Sequence, residues 1–81
     1  MLVNNIEDTI KSLYENRGVK ITAKKVDENT IKLEGITPTY YLKQLALETA
    51  MKTARGLLIT INIQDVKVVP NLTLLETDHD S

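Results

Sequence analysis

The chain contains no cysteine, no phenylalanine and no tryptophan. Without cysteine there are no disulfides, no thiolate metal sites and no thiol nucleophile. With three tyrosines as the whole aromatic content, the core has to be built from Ile, Val, Leu and Ala. Proline and glycine are also scarce, two and three respectively, so each one punctuates the chain at a definite place. The single histidine, His79, lies between Asp78 and Asp80 near the C-terminus. It has no neighbouring element to hold it in a catalytic or metal-binding geometry. The N-terminus, MLVNNIEDTI, has no basic segment and no long apolar run, which excludes a secretory signal. No window approaches the roughly 20 apolar residues of a membrane span. As written the sequence suits the cytoplasm, or the periplasm or envelope if a leader has been removed.

What remains describes one small domain. Eighty-one residues leave little room for a second. An apolar fraction of 42% and a charged fraction of 26% are ordinary for a globular chain. The charge is unevenly placed. Residues 1–70 hold ten basic and eight acidic residues, a balance of +2, while residues 71–81 hold Glu76, Asp78 and Asp80. A body at +2 is too weakly basic for duplex nucleic-acid binding by charge alone. The glycines are too dispersed for a Gly-x-x-Gly clamp on single-stranded RNA, so no nucleic-acid partner is expected.

Hydrophobic periodicity places five elements. Residues 5–17 read as a helix with Ile6, Ile10, Leu13 and Tyr14 on one face. Asn4 or Asn5 is the expected cap, Glu7–Lys11 an i, i+4 pair, and Gly18 the stop. Residues 19–26 alternate, with Val19, Ile21 and Ala23 on one side and Lys20, Thr22 and Lys24 on the other. A turn over Asp27–Asn29, with Asn29 suited to positive φ, leads to a second strand carrying Ile31 and Leu33 inward. Residues 39–55 are a second helix, and residues 57–69 a long final strand. Its phase slips after Ile63, so a bulge at Gln64–Asp65 is expected. The fold class is α+β: α-β-β-α-β, two helices on one face of a three-stranded mixed sheet. Whether the last strand neighbours the first or the second stays open. Residues 1–70 form the domain, and 71–81 read as a frayed acidic tail.

The second strand gives way to the second helix within a few residues, in LEGITPTYY. Gly35 permits a close backbone approach, Pro38 ends the ladder, and Thr39 offers an N-cap hydroxyl to the amides of Tyr41 or Leu42. Thr37 as cap, with Pro38 in the first helical position, is the alternative. The run LEGITPTYYLKQLALETAMKTARGL resembles the corresponding segment of BON domains. The matching positions are Leu33, Gly35, Pro38, Thr39, Tyr40, Ala46, Ala50, Gly56 and Leu57, with Asn62 in the last strand. The resemblance spans about residues 5–69. It implies a small, noncatalytic bacterial binding module associated with phospholipid or envelope surfaces, with no catalytic residue and no cofactor.

Three surfaces are candidates for function. Lys20, Lys24 and Lys32 project from the outward sheet face, with Thr22, Thr30, Thr60 and Asn62 around them, and suit lipid phosphates. On the second helix, Leu42, Leu45, Ala46, Thr49, Ala50 and Thr53 face the sheet, which leaves Leu47, Met51 and Ala54 on a flank. Tyr41 lies in the first turn. That flank either packs on the first helix or, with Tyr41, forms a partner site. The edge of the last strand is the third, ready to pair with another copy. The acidic tail is a fourth contributor, able to visit the lysine face and mask it. The functional expectation is a noncatalytic module for protein interaction or assembly, with self-association through the flank or the strand edge as one form of it. Phospholipid binding through the lysines is the alternative.

Overall fold

A computed structural model describes residues 2–70, and the expected acidic tail lies outside them. The elements follow the order read from sequence. They are α1 (Leu2–Tyr14), a single 3₁₀ turn (Glu15–Arg17), β1 (Lys20–Asp27), β2 (Thr30–Thr37), α2 (Tyr40–Thr53) and β3 (Thr60–Val68). The strands form one sheet in the order β1-β2-β3, β1–β2 antiparallel and β2–β3 parallel. This settles the place of the last strand. It lies beside β2, so among the described residues β1 and β3 are both edges.

Both helices cover one face of the sheet, α1 over β1 and α2 over β3. Between them sits the core: Ile6 and Ile10 of α1, Leu42, Ala46 and Ala50 of α2, and Val19, Ile21, Ile31, Leu33 and Val66 from the sheet and its entry. Small residues at Ala46 and Ala50 let α2 approach closely. The helices are also pinned by a polar contact. The Thr49 hydroxyl donates to the Leu45 carbonyl (2.9 Å), so the Tyr14 hydroxyl, 3.3 Å away, donates to Thr49.

Several local expectations are corrected. Helix α1 starts earlier than residue 5, because Leu2 and Val3 also pack on the core. Asn4 and Asn5 are therefore inside the helix and do not cap it. The Glu7–Lys11 pair does not form. Glu7 is engaged by β1, and Lys11 pairs instead with Glu15 at 3.8 Å. Leu13, expected on the buried face with Ile6 and Ile10, is exposed one residue before the helix ends. The hairpin turn needs no positive φ at Asn29; its N–H donates to the Asp27 carboxylate at 2.8 Å. Leu57 and Leu58 precede β3 and do not belong to it. The bulge lies one residue earlier than expected. Two residues, Ile63 and Gln64, stand between Asn62 and Asp65, where β2 has only Leu33. A second bulge, not foreseen, leaves an extra residue in β1 between Lys25 and Asp27.

The strand-to-helix junction is built as the sequence suggests. Gly35 adopts φ 144°, and a Cβ there would stand 1.9 Å from the Lys20 carbonyl oxygen, so no other residue fits without moving β1. Thr39 is the cap, accepting from the Leu42 N–H at 3.0 Å. Thr37 is fully buried and donates to the Thr39 carbonyl at 2.9 Å, which braces the cap. At the end of α1, Gly18 takes φ 90° and lies against the Pro38 ring.

Candidate functional site

The outward sheet face is arranged in cross-strand rows. Lys20 is level with Ile36 and Lys67, Thr22 with Glu34 and Asp65, and Lys24 with Lys32 and Asn62. Sequence reasoning placed Lys20, Lys24 and Lys32 on this face and the structure does the same. It also brings two carboxylates among them. The Lys32 ammonium lies 3.1 Å from Asp65 and 3.6 Å from Glu34. The hydrogen bond and charge of Asp65, with the charge of Glu34, hold the Lys32 pKa above its ordinary 10.5. Lys32 is thus partly satisfied within the protein. Lys20 and Lys24 are exposed and form no ion pair among the described residues. The face as a whole carries four lysines and two acids, a mixed surface with a modest positive balance.

The α2 flank is different in character. At about 100° per residue, Tyr40, Gln44, Leu47 and Met51 fall on one line. Met51 lies about 200° round from Thr49, the residue that touches α1, so this line faces away from α1. Since α1 covers β1 and α2 covers β3, the line faces the β3 side of the molecule. The flank therefore does not pack on the first helix. Met51 is 56% exposed, Tyr40 64% and Tyr41 63%, while Leu47 is half-buried. Leu57 and Leu58 follow in the connection to β3, Leu58 being 92% exposed. Ala54, expected on this flank, is only 4% exposed. It stands four residues beyond the fully buried Ala50, shares that buried side, and donates its N–H to the Ala50 carbonyl at 3.0 Å. Tyr40, Leu57 and Leu58 were missed as candidates. Tyr40 was legible from its spacing to Leu47 and Met51; the two leucines were hidden by reading them as strand.

The two sheet edges complete the picture. In β1, the Ala23 N–H points away from β2 and donates to the Glu7 carboxylate at 2.8 Å. A side chain of α1 thus occupies the edge where another strand would bind. Beside it runs a groove of about 550 Å³ between α1 and β1, lined by Glu7, Lys11, Glu15, Val19, Ile21 and Gly35 among others. In β3, the Val69 N–H bonds the Thr37 carbonyl at 2.8 Å and the Thr60 N–H bonds the Asn29 carbonyl at 2.7 Å. Residues of that parity face β2, so on either side of the bulge Ile61, Val66 and Val68 present their backbone groups outward. No strand pairs with that edge among the described residues.

Among the described residues there is no group of three His, Cys, Asp or Glu side chains placed to hold a metal. His79 lies outside them. Among the same residues no helix is long and apolar enough to cross a membrane. No family model matches the chain, and neither the curated proteins nor the solved structures searched contain a match.

Proposed function

We propose that this protein is a noncatalytic protein-interaction or assembly module that works through the β3 side of the molecule. One observation carries this reading: the line Tyr40–Leu47–Met51 on α2, apolar apart from Gln44 and exposed at Tyr40 and Met51, runs beside a strand edge that no described strand pairs with. Large apolar side chains exposed together are costly in water and mark interaction surfaces. An open strand edge supplies backbone donors and acceptors to the same partner. Tyr and Met are also the residue types that protein interfaces favour. The BON-like residues of the β2–α2 segment support the same class of module, one that binds and does not catalyse.

The test is a photo-activatable cross-linker in place of Met51 in cells, compared with one at Asp8 on the exposed side of α1. Cross-linking at Met51 and not at Asp8 is expected. None at Met51 removes the reading.

Phospholipid binding is the second reading, and the exposed pair Lys20 and Lys24 favours it. The ties of Lys32 to Asp65 and Glu34 weaken it, because only two of the three lysines are left to meet phosphate. Flotation with anionic vesicles at low and moderate salt decides it. Salt-sensitive binding that Lys20→Glu with Lys24→Glu abolishes supports the lysine face; binding unchanged by the pair sinks it.

A further inference from the structure

Resting on that reading, we infer that the occupant of the β3 side is a second copy of this chain, paired antiparallel through β3 in one particular register. The argument begins with widths. Three strands span about 14 Å, whereas two helices side by side need about 20 Å. A sheet this narrow leaves the outer flank of one helix without a floor, and the apolar line of α2 is on that flank. A lone strand added to β3 would extend the floor but leave Tyr40, Leu47 and Met51 open to water. A second copy related by a two-fold axis supplies both parts at once, its β3 for the edge and its α2 for the apolar line.

The bulge selects the register. Before it, Ile61 points inward and presents its backbone to the edge; after it, Val66 and Val68 do. Place Ile61 opposite the partner's Val66. Ile59 then meets the partner's Val68, Thr60 meets the partner's Lys67, and Asn62 meets the partner's Asp65. On both sides of the bulge inward side chains meet inward ones and outward meet outward; only at the axis does the core-packed Ile63 stand opposite the partner's exposed Gln64. A shift of one residue sets inward against outward throughout. The two bulges fall together on the axis. There the Gln64 N–H already donates to its own Asn62 side-chain oxygen at 2.8 Å, so it needs nothing from the other copy. The Asn62 amide nitrogen keeps its donors for the partner's Asp65 carboxylate. No like charges are opposed. The product is a six-stranded sheet with four helices on one face, in which the two α2 helices run antiparallel across the axis. The β1 edges, each with its Ala23 amide taken by Glu7, form its ends, and the two-fold axis uses both β3 edges, so the assembly closes at two copies.

The absence of cysteine makes the register directly testable. The untagged chain is sedimented over a wide concentration range. Separately, a Thr60→Cys chain and a Lys67→Cys chain are oxidised alone and as an equal mixture. Thr60 and the partner's Lys67 form a non-hydrogen-bonded pair, close enough for a disulfide. Expected results are a dimer in sedimentation and a covalent heterodimer in the mixture, well above what either chain gives alone. Val68→Pro should weaken association about tenfold or more, since it removes a donor that faces only the partner. A monomer at every concentration overturns the inference, and so does a mixture that cross-links no better than its components. The cross-linker at Met51 separates the two failures. Capture of a different protein by a monomeric chain ends the second copy and keeps an interaction module; no capture ends both.

Discussion

At one edge of the sheet the Glu7 carboxylate reaches from α1 and takes the Ala23 amide; at the other, the backbone of Ile61, Val66 and Val68 faces no strand among the described residues. The same three-stranded sheet is therefore finished in two ways. At β1 a side chain takes the Ala23 amide and imitates the acceptor of an added strand, one of the ways sheets discourage unwanted pairing. β3 has a bulge and flanking charges, Asp65 and Lys67, but its ladder groups and the helix flank above it remain available. The lesson is that openness is a property of one side of this molecule and not of small sheets in general. Function is best sought where the protection is missing.

The contrast can be broken most severely at β1. Gly35→Ala places a Cβ against the Lys20 carbonyl at a φ that side chains rarely adopt. It should cost about 3 kcal/mol or more and separate β1 from β2, measured by chemical denaturation. Stability within error of wild type would show that the junction yields. Next is Glu7→Ala, which removes the acceptor of a part-buried amide. A loss of about 1–2 kcal/mol is expected. Glu7→Gln, which keeps an acceptor, should recover part of it. The alanine variant should also associate more readily, because its β1 edge is opened; unchanged sedimentation would mean that Glu7 does not guard that edge.

On the β3 side the expected effects on folding are small. Met51→Asp should change unfolding by no more than about 0.5 kcal/mol, as for an exposed residue, while abolishing association. Unfolding of the whole domain would show instead that the flank is core. Smallest of all is a pH effect at Lys32. Its pKa is raised in the folded state, so the stability it contributes is fully present below its unfolded pKa, near 10.5. It is lost as pH rises through the higher folded value. Lys32→Gln should flatten that alkaline loss in a titration of stability; an unaltered profile would mean that the contacts with Asp65 and Glu34 do not matter in solution.

Much of this was legible from residues alone because the signals are local. Alternation in VKITA and IKL fixed which side chains turn inward, since successive residues of a strand point to opposite faces. Gly35, Pro38 and Thr39 marked the junction because each limits its own backbone or caps its own helix. The phase slip between Ile63 and Val66 announced a bulge to within one residue. The cap and ion pair assigned to α1 failed for the opposite reason. Asn4, Asn5 and Glu7 answer to Leu2, Val3 and Ala23, which packing brought into play.

The candidate surfaces divide along the same line. Sequence by itself determined the order α-β-β-α-β, the inward faces and the presence of surplus apolar residues on α2, because period and capping act within a few residues. Only the tertiary structure decided that β3 lies beside β2 and so forms an edge. Only it placed Asp65, thirty-three positions away along the chain, against Lys32, and buried Ala54 while leaving Met51 exposed. Those outcomes depend on which distant segments meet, and that is chosen by the burial of the whole core and not by any local pattern.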